Sequence, residues 1–224
     1  MISKNYDAVI FDLDGTLIDS MWVWEKLDIA FLGQLSIKVP EDMDRELEGM
    51  SFTETASYFK ERFKLEMSVE AIKESWNKLA WDFYTRDVTL KTGAKEFLAY
   101  LQAKGIKLGI ASSNSTELID AVLEALQIKQ YFSGVRSSCE VGRGKPYPDI
   151  YLKVAEDLKV EPNRCLVFED IPNGIKAGKA AGMYVCGIRD RQSQEVQEEA
   201  KALAHHFIKD YYEAMSDFAF LKDE

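Results

Sequence analysis

The run Ala8-Val9-Ile10-Phe11, followed at once by Asp12-Leu13-Asp14-Gly15-Thr16, constrains this chain more than any other stretch. Four successive apolar residues ahead of a glycine-bearing acidic turn fit a short strand buried on both faces, the kind found inside a parallel sheet. Asp12 and Asp14 then emerge where the strand ends. Two side chains two residues apart converge on one small volume only if the backbone turns sharply between them, and Gly15 permits that turn. An Asp-Gly hairpin is the competing reading. It needs a second strand straight after Gly15, whereas Leu17-Ile18-Asp19-Ser20 leads into a long run with helical spacing.

From Ser20 to about Thr85 the pattern is helical throughout. Val23, Leu27, Ala30 and Phe31 recur at helical spacing within 21–35. Pro40 opens a second helix through Leu47, 52–63 reads as a third, and Ser68 caps a fourth through Tyr84. After Gly93 helices alternate with strands. Helices are expected at 94–104, 116–126, 149–158 and 174–181, and strands at 106–111, 135–137, 165–168, 184–188 and 206–208. Such alternation predicts an α/β fold, a doubly wound parallel sheet with a Rossmann-like core, carrying an inserted helical bundle. The expected boundaries are 1–18 and 90–224 for the core and 19–89 for the bundle. The acidic tail after Ser216 is expected to fray.

Open sheets of this class bind ligands beyond the carboxyl ends of their strands. That rule gathers residues from distant parts of the chain onto one edge. Ser112-Ser113-Asn114 closes a strand and opens a helix. Asn114 and Glu117 are spaced like a capping pair, while a hydroxyl beside helical N–H groups also suits a phosphate; both readings stand. Lys145 lies in the loop Gly142-Arg143-Gly144-Lys145-Pro146-Tyr147-Pro148-Asp149, where an arbitrary lysine is ordinarily just solvated. Glu169-Asp170 follow an apolar strand, and their mutual repulsion is best explained by a hard cation. Mg2+, with its oxygen ligands, fits them.

Composition narrows the function classes. A net charge of −10 with a pI near 4.9 argues against nucleic acid and against an anionic membrane, both of which need a basic face. A bound cation and a local lysine can still reverse the field inside one pocket, so a phosphorylated ligand fits. Cys139, Cys165 and Cys186 are scattered and form no Cys-x-x-Cys pair, which suggests neither a disulfide framework nor a zinc site. His205 and His206 are the only histidines and lie apart from every motif, leaving little room for a Ser-His-Asp or Cys-His mechanism. No apolar run is long enough to span a bilayer and no signal peptide precedes the first strand, so a cytoplasmic location is the default expectation.

Asp12-Leu13-Asp14-Gly15-Thr16, Ser112-Ser113-Asn114, Lys145-Pro146-Tyr147-Pro148-Asp149 and Glu169-Asp170 with Asn173-Gly174 together resemble the haloacid dehalogenase-like superfamily of phosphohydrolases. Within it, the chain is similar to the helical-cap group that includes β-phosphoglucomutase and small-molecule phosphatases. The resemblance implies hydrolysis of a small phosphorylated metabolite through an aspartyl-phosphate. Asp12 is then the nucleophile and Asp14 the general acid and base, while Ser112, Ser113 and Lys145 hold the phosphoryl group. Mg2+ falls to Asp12, the backbone carbonyl of Asp14, and Asp170, with Glu169 on it or beside it. Trp24, Phe52 and Asn114 are candidate substrate-facing residues. Mutases of the group carry a histidine and an arginine where Trp24 and Phe52 stand, so hydrolysis is favoured over sugar-phosphate isomerisation. A metal-free dehalogenase leaves Asp14, Glu169 and Asp170 idle. A phosphorylation-dependent signalling module has no need of Asp14 or of the helical insertion.

Overall fold

The computed structural model describes residues 6–40 and 42–218. In chain order the elements are β1 (Ala8–Phe11), β2 (Ile18–Asp19), α1 (Met21–Gln34), α2 (Met43–Leu47), α3 (Phe52–Arg62), α4 (Val69–Arg86), β3 (Thr89–Leu90), α5 (Ala94–Ala103), β4 (Lys107–Ser112), α6 (Thr116–Ala125), β5 (Gly134–Ser137), α7 (Asp149–Leu158), β6 (Cys165–Glu169), α8 (Pro172–Ala180), β7 (Tyr184–Ile188), α9 (Gln194–Leu203), β8 (His206–Ile208) and α10 (Tyr211–Asp217). Six strands form one parallel sheet in the order β5-β4-β1-β6-β7-β8. Parallel neighbours need crossovers, which the intervening helices supply.

β1 lies inside the sheet and all four of its residues are buried. Because side chains alternate along a strand, Val9 and Phe11 enter one apolar cluster with Ile110, Phe168 and Phe97, while Ala8 and Ile10 enter another with Val154, Val167 and Val185. An uninterrupted apolar run is therefore what a strand covered on both sides requires. The Phe11 and Phe168 rings stack across neighbouring strands at 5.4 Å. α7 presses so closely on β4 that a side chain at Gly109 would collide with Val154.

The helical insertion α1–α4 leaves and rejoins the sheet at one point. β2 and β3 pair antiparallel, Ile18 with Leu90 and Asp19 with Thr89. Nothing local announces a two-residue strand, so the pattern of hydropathy did not show this ribbon. The first apolar cluster continues from the sheet into the helices through Val23, Phe31, Phe59 and Trp76. Trp76 meets Phe31, Phe52 and Phe59 edge-on at 4.9 to 5.7 Å. Ala30, expected on the buried face of α1, is exposed, because Leu32 takes that place in the packing.

Several boundaries differ from expectation. β4 begins at Lys107 and ends at Ser112, since Ile106 N–H still closes the preceding helix turn by bonding Leu101 C=O. α8 starts at Pro172, two residues early, because proline is well suited to the first helical turn. α9 and α10 were not expected; each is capped by a side chain, Ser193 and Asp210. The tail expected to fray lies, after Phe218, outside the described residues. Cys165 and Cys186 are buried thiols. Among the described residues no helix is long and apolar enough to cross a membrane.

Candidate active site

The carboxyl ends of β1, β4 and β6 bring the sequence motifs together. Phe11 sits opposite Ile110 on one side and Phe168 on the other, so Asp12, Ala111-Ser112 and Glu169 leave the sheet at one level. Asp12 N–H bonds Phe168 C=O at 3.0 Å, extending the ladder one residue and anchoring the carboxylate's own backbone. Asp12, Glu169 and Asp170 are buried and each offers a carboxylate oxygen within 4.8 Å of the others.

Lys145 comes from the loop after β5 and is buried. Its ammonium donates to Asp12 Oδ1 at 2.6 Å and also to Glu169 Oε1. Burial works against that charge, yet the two carboxylates raise the lysine above its ordinary value, so it stays an ammonium. Glu169 is turned inward. Tyr151 OH donates to its Oε1 at 2.7 Å, and the N–H groups of Asp170 and Ile171 donate to its Oε2. A side chain at Gly174 would occupy the space of this carboxylate, which explains a glycine in the first turn of α8.

Asp170 receives Thr16 Oγ1 on Oδ1 at 2.9 Å and the Gln192 amide on Oδ2. Asp12 is raised to about 7: burial pushes it up most, and Glu169 and Asp14 add to this, while Lys145 pulls the other way. Burial, with Asp12, Glu169 and Asp190 alongside, raises Asp170 well above the usual carboxylate range. Three buried acids against one lysine leave the cluster short of positive charge. A hard divalent cation with oxygen ligands therefore fits the donor set, and, with the Glu169 oxygens occupied by Lys145, Tyr151 and two N–H groups, Asp12 and Asp170 are the residues that could hold it.

Asp14 points elsewhere. Its Oδ1 accepts from Ser20 Oγ at 2.6 Å and from Tyr84 OH, and its Oδ2 accepts from Asn114 Nδ2 at 3.0 Å. Tyr84 is on α4, so one partner of Asp14 comes from the helical insertion. Burial, then the Asp14 charge, raises the Tyr84 phenol far above its usual value and keeps it a donor. Asn114 also donates to Tyr84 OH at 3.0 Å. It is not the cap of α6, so of the two readings left open for Asn114 the capping pair with Glu117 falls. Ser115 takes that role, its Oγ accepting from Leu118 N–H at 3.2 Å, while the Asn114 Oδ1 accepts from the neighbouring Ser115 N–H at 2.7 Å and its Nδ2 serves Asp14 and Tyr84.

Ser112 Oγ accepts from Asn114 N–H at 3.1 Å, and Ser113 Oγ is buried without a partner. Ser113 C=O accepts from Phe52 N–H at 2.8 Å, tying α3 to the sheet edge. Phe52 itself is buried between Trp76 and Trp24, whereas Trp24 is half-buried, its ring 6.0 Å from that of Tyr84. Arg143 is exposed, forked onto Asp149 and stacked on Tyr147. Asn173 reaches the insertion, its side chain donating to Glu48 C=O at 2.9 Å. Gly144 N–H donates to Glu54, tying the lysine loop to α3.

Tyr84, Tyr151, Ser20, Thr16, Gln192 and Asp190 were not singled out from the sequence. Thr16 and Ser20 lie beside the acidic turn and were within reach of closer inspection; the others are distant in the chain and carry no local signal.

A family model for haloacid dehalogenase-like hydrolases matches residues 6–182. A phosphorylated carbohydrates phosphatase of Thermotoga maritima is 30% identical over 177 residues, 79% of this chain and 82% of that protein. Hexitol phosphatase B of Escherichia coli is 27% identical over 188 residues, 79% of this chain and 80% of its own. The crystal structure of β-phosphoglucomutase from Clostridium difficile superposes with a TM-score of 0.79 at 23% identity, covering 95% and 96% of the two chains. That likeness is one of fold.

Proposed function

Because the chain belongs to the haloacid dehalogenase-like hydrolases and is a phosphoric monoester hydrolase, we propose that it hydrolyses a small phosphorylated metabolite in two steps through Asp12, with Mg2+ as cofactor. The observation that carries the reading is the separation of two neighbouring aspartates: Asp12 bound to Lys145 on the buried floor, and Asp14 held away from it by Ser20, Tyr84 and Asn114. A nucleophile and an acid/base need different surroundings, and here they have them.

In the first step an Asp12 carboxylate oxygen attacks phosphorus in line, the ester P–O bond breaks, and Asp14 gives its proton to the leaving oxygen. In the second Asp14 takes a proton from water, the resulting hydroxide attacks the phosphoryl phosphorus, and Asp12 is regenerated as phosphate departs. Lys145, Ser112 and the partnerless Ser113 hydroxyl supply donors to the phosphoryl oxygens. Asp12, Asp170 and the Asp14 carbonyl would hold Mg2+, which would supply positive charge against the phosphoryl oxygens; Glu169 serves Lys145 first. The insertion 19–89 acts as a cap whose Tyr84 completes the Asp14 environment.

The two phosphatase relatives support a small phosphomonoester as substrate class. Trp24 and Phe52 offer no charge to a second phosphate, which supports release of phosphate over its return to a sugar. With an aryl phosphate or hexitol phosphate and Mg2+, phosphate release is expected, stopping on addition of chelator. With β-glucose 1-phosphate and a bisphosphate primer, no steady 6-phosphate is expected. Undiminished turnover in excess chelator removes the cation from the reading, and isomerisation faster than release removes hydrolysis.

A further inference from the structure

Asp190 lies two residues beyond β7, the strand next to β6, and so on the same carboxyl edge as Asp170. Its side chain is 1% exposed. Oδ1 accepts from the Lys91 ammonium at 2.5 Å, and Lys91 itself follows β3 at the return of the helical insertion. Oδ2 is buried and has no hydrogen-bond partner. It faces the acidic turn: a Cβ at Gly15 would fall on Asp170 Oδ2 and lie 3.0 Å from Asp190 Oδ2, so the two carboxylates meet across that bare α-carbon. The Gln192 amide donates to Asp170 there, while its own Oε1 is also buried and unpartnered.

A buried carboxylate oxygen that accepts nothing and faces another carboxylate is costly, and native structures ordinarily give such an atom a donor. Lys91 satisfies only the far oxygen. We propose that Asp190 belongs to the divalent-cation site, its Oδ2 accepting from a water on the cation held by Asp12 and Asp170 and its charge tightening that cation. Gln192 Oε1 is a second acceptor for such a water, and Lys91 sets how much of the Asp190 charge the cation feels. Acceptors of this kind outside the direct ligands typically change metal affinity by about 10- to 100-fold. The inference rests on the cation reading given under the proposed function.

Direct titration of the full chain with Mn2+ at pH 7.5, by calorimetry and by the loss of free-ion electron paramagnetic resonance signal, tests it without reference to turnover. Asp190→Asn is expected to weaken binding about tenfold. Lys91→Met, which removes the competing ammonium, is expected to tighten it by a factor of roughly two to five. Opposite signs separate this role from a purely structural ion pair, since either substitution breaks the pair. If both variants weaken binding, or neither changes it, the assignment of Asp190 is wrong. Should Asp190→Asn fail to fold by circular dichroism, Lys91→Met alone decides: tighter binding upholds the proposal, while unchanged or weaker binding overturns it. A parent chain that binds no Mn2+ brings down the cation reading itself, a result distinct from parent binding that the variants leave alone.

Discussion

Asp12 and Asp14 are separated by one residue, yet the surroundings of the one are built by the sheet and those of the other by the junction with the helices. Asp12 sits where β1, β6 and the lysine loop meet, and its ammonium partner is itself held by Glu169, which Tyr151 and two backbone N–H groups fix. Every member comes from the α/β core. Asp14 instead draws on Ser20 at the start of α1, Tyr84 on α4 and Asn114 before α6. The floor is thus assembled once, by folding. The surroundings of Asp14 are complete only while α4 rests on the core, a contact kept by Ser115 on Asn77 at 2.8 Å, with α3 tied alongside by Phe52 on Ser113. A site divided this way can pair chemistry with closure of the helices over a substrate.

The sharpest break in the comparison is Asp12→Asn. An amide nearly matches the carboxylate in shape but is a poor nucleophile, so kcat is expected to fall by about 10⁴-fold or more with no phosphoenzyme and an unchanged circular dichroism spectrum. A rate within tenfold of the parent would contradict covalent catalysis at this residue. Asp14→Asn comes next, with a loss of roughly 10² to 10⁴-fold in kcat. Rapid quench with a labelled substrate distinguishes it from the first, because phosphoenzyme accumulates here if the second step suffers more.

The two buried tyrosines sharpen the contrast further. Tyr84→Phe removes a donor to Asp14 without touching the floor, and kcat should drop roughly tenfold while the melting temperature holds. Tyr151→Phe takes a donor from buried Glu169 and should cost about 1–3 kcal/mol of stability, read by urea titration. If Tyr84→Phe destabilises and Tyr151→Phe does not, the division between the regions is drawn in the wrong place.

The smallest effect is in pH. Asp12 is raised to about 7, chiefly by burial, so between the ordinary aspartate value of 3.8 and that pH the folded chain holds a proton that the unfolded chain has lost. By itself this group's contribution to stability is largest at low pH and is lost as pH rises through 7. A cation needs the charged carboxylate, so its affinity runs the other way, rising up to about pH 7 and levelling above it. Melting scans with and without Mg2+ should show a larger increment at pH 8 than at pH 6. Equal increments would mean that the cation does not share Asp12's charge.

Much of this was legible in the linear chain. The buried run 8–11 and the alternation after Gly93 carried the parallel sheet, since a strand covered on both faces has no position for a polar residue. The rule that ligands gather at carboxyl strand ends then placed Asp12, Ser112, Lys145 and Glu169-Asp170 on one edge. The β2–β3 ribbon was not legible, because two residues carry no periodicity. Nor was the inward turn of Glu169, which depends on Tyr151 eighteen residues earlier and on the space left by Gly174. Asn114 was read half correctly. Its position at a helix start was plain, but its bonds to Asp14 and to Tyr84, thirty residues away, were not.

What the sequence determined by itself is the material of the site: which strands build the parallel sheet, and which acids, lysine and hydroxyls stand near their ends. Local physical chemistry suffices for that, because burial period and turn residues act over a few positions. Only the tertiary structure decided how these groups divide the work. The direction of Asp14, the pairing of Lys145 with both Asp12 and Glu169, and the approach of Asp190 to Asp170 across Gly15 are contacts between residues brought together by packing. Hydrogen bonds and charges act over a few ångströms of space and take no account of distance along the chain.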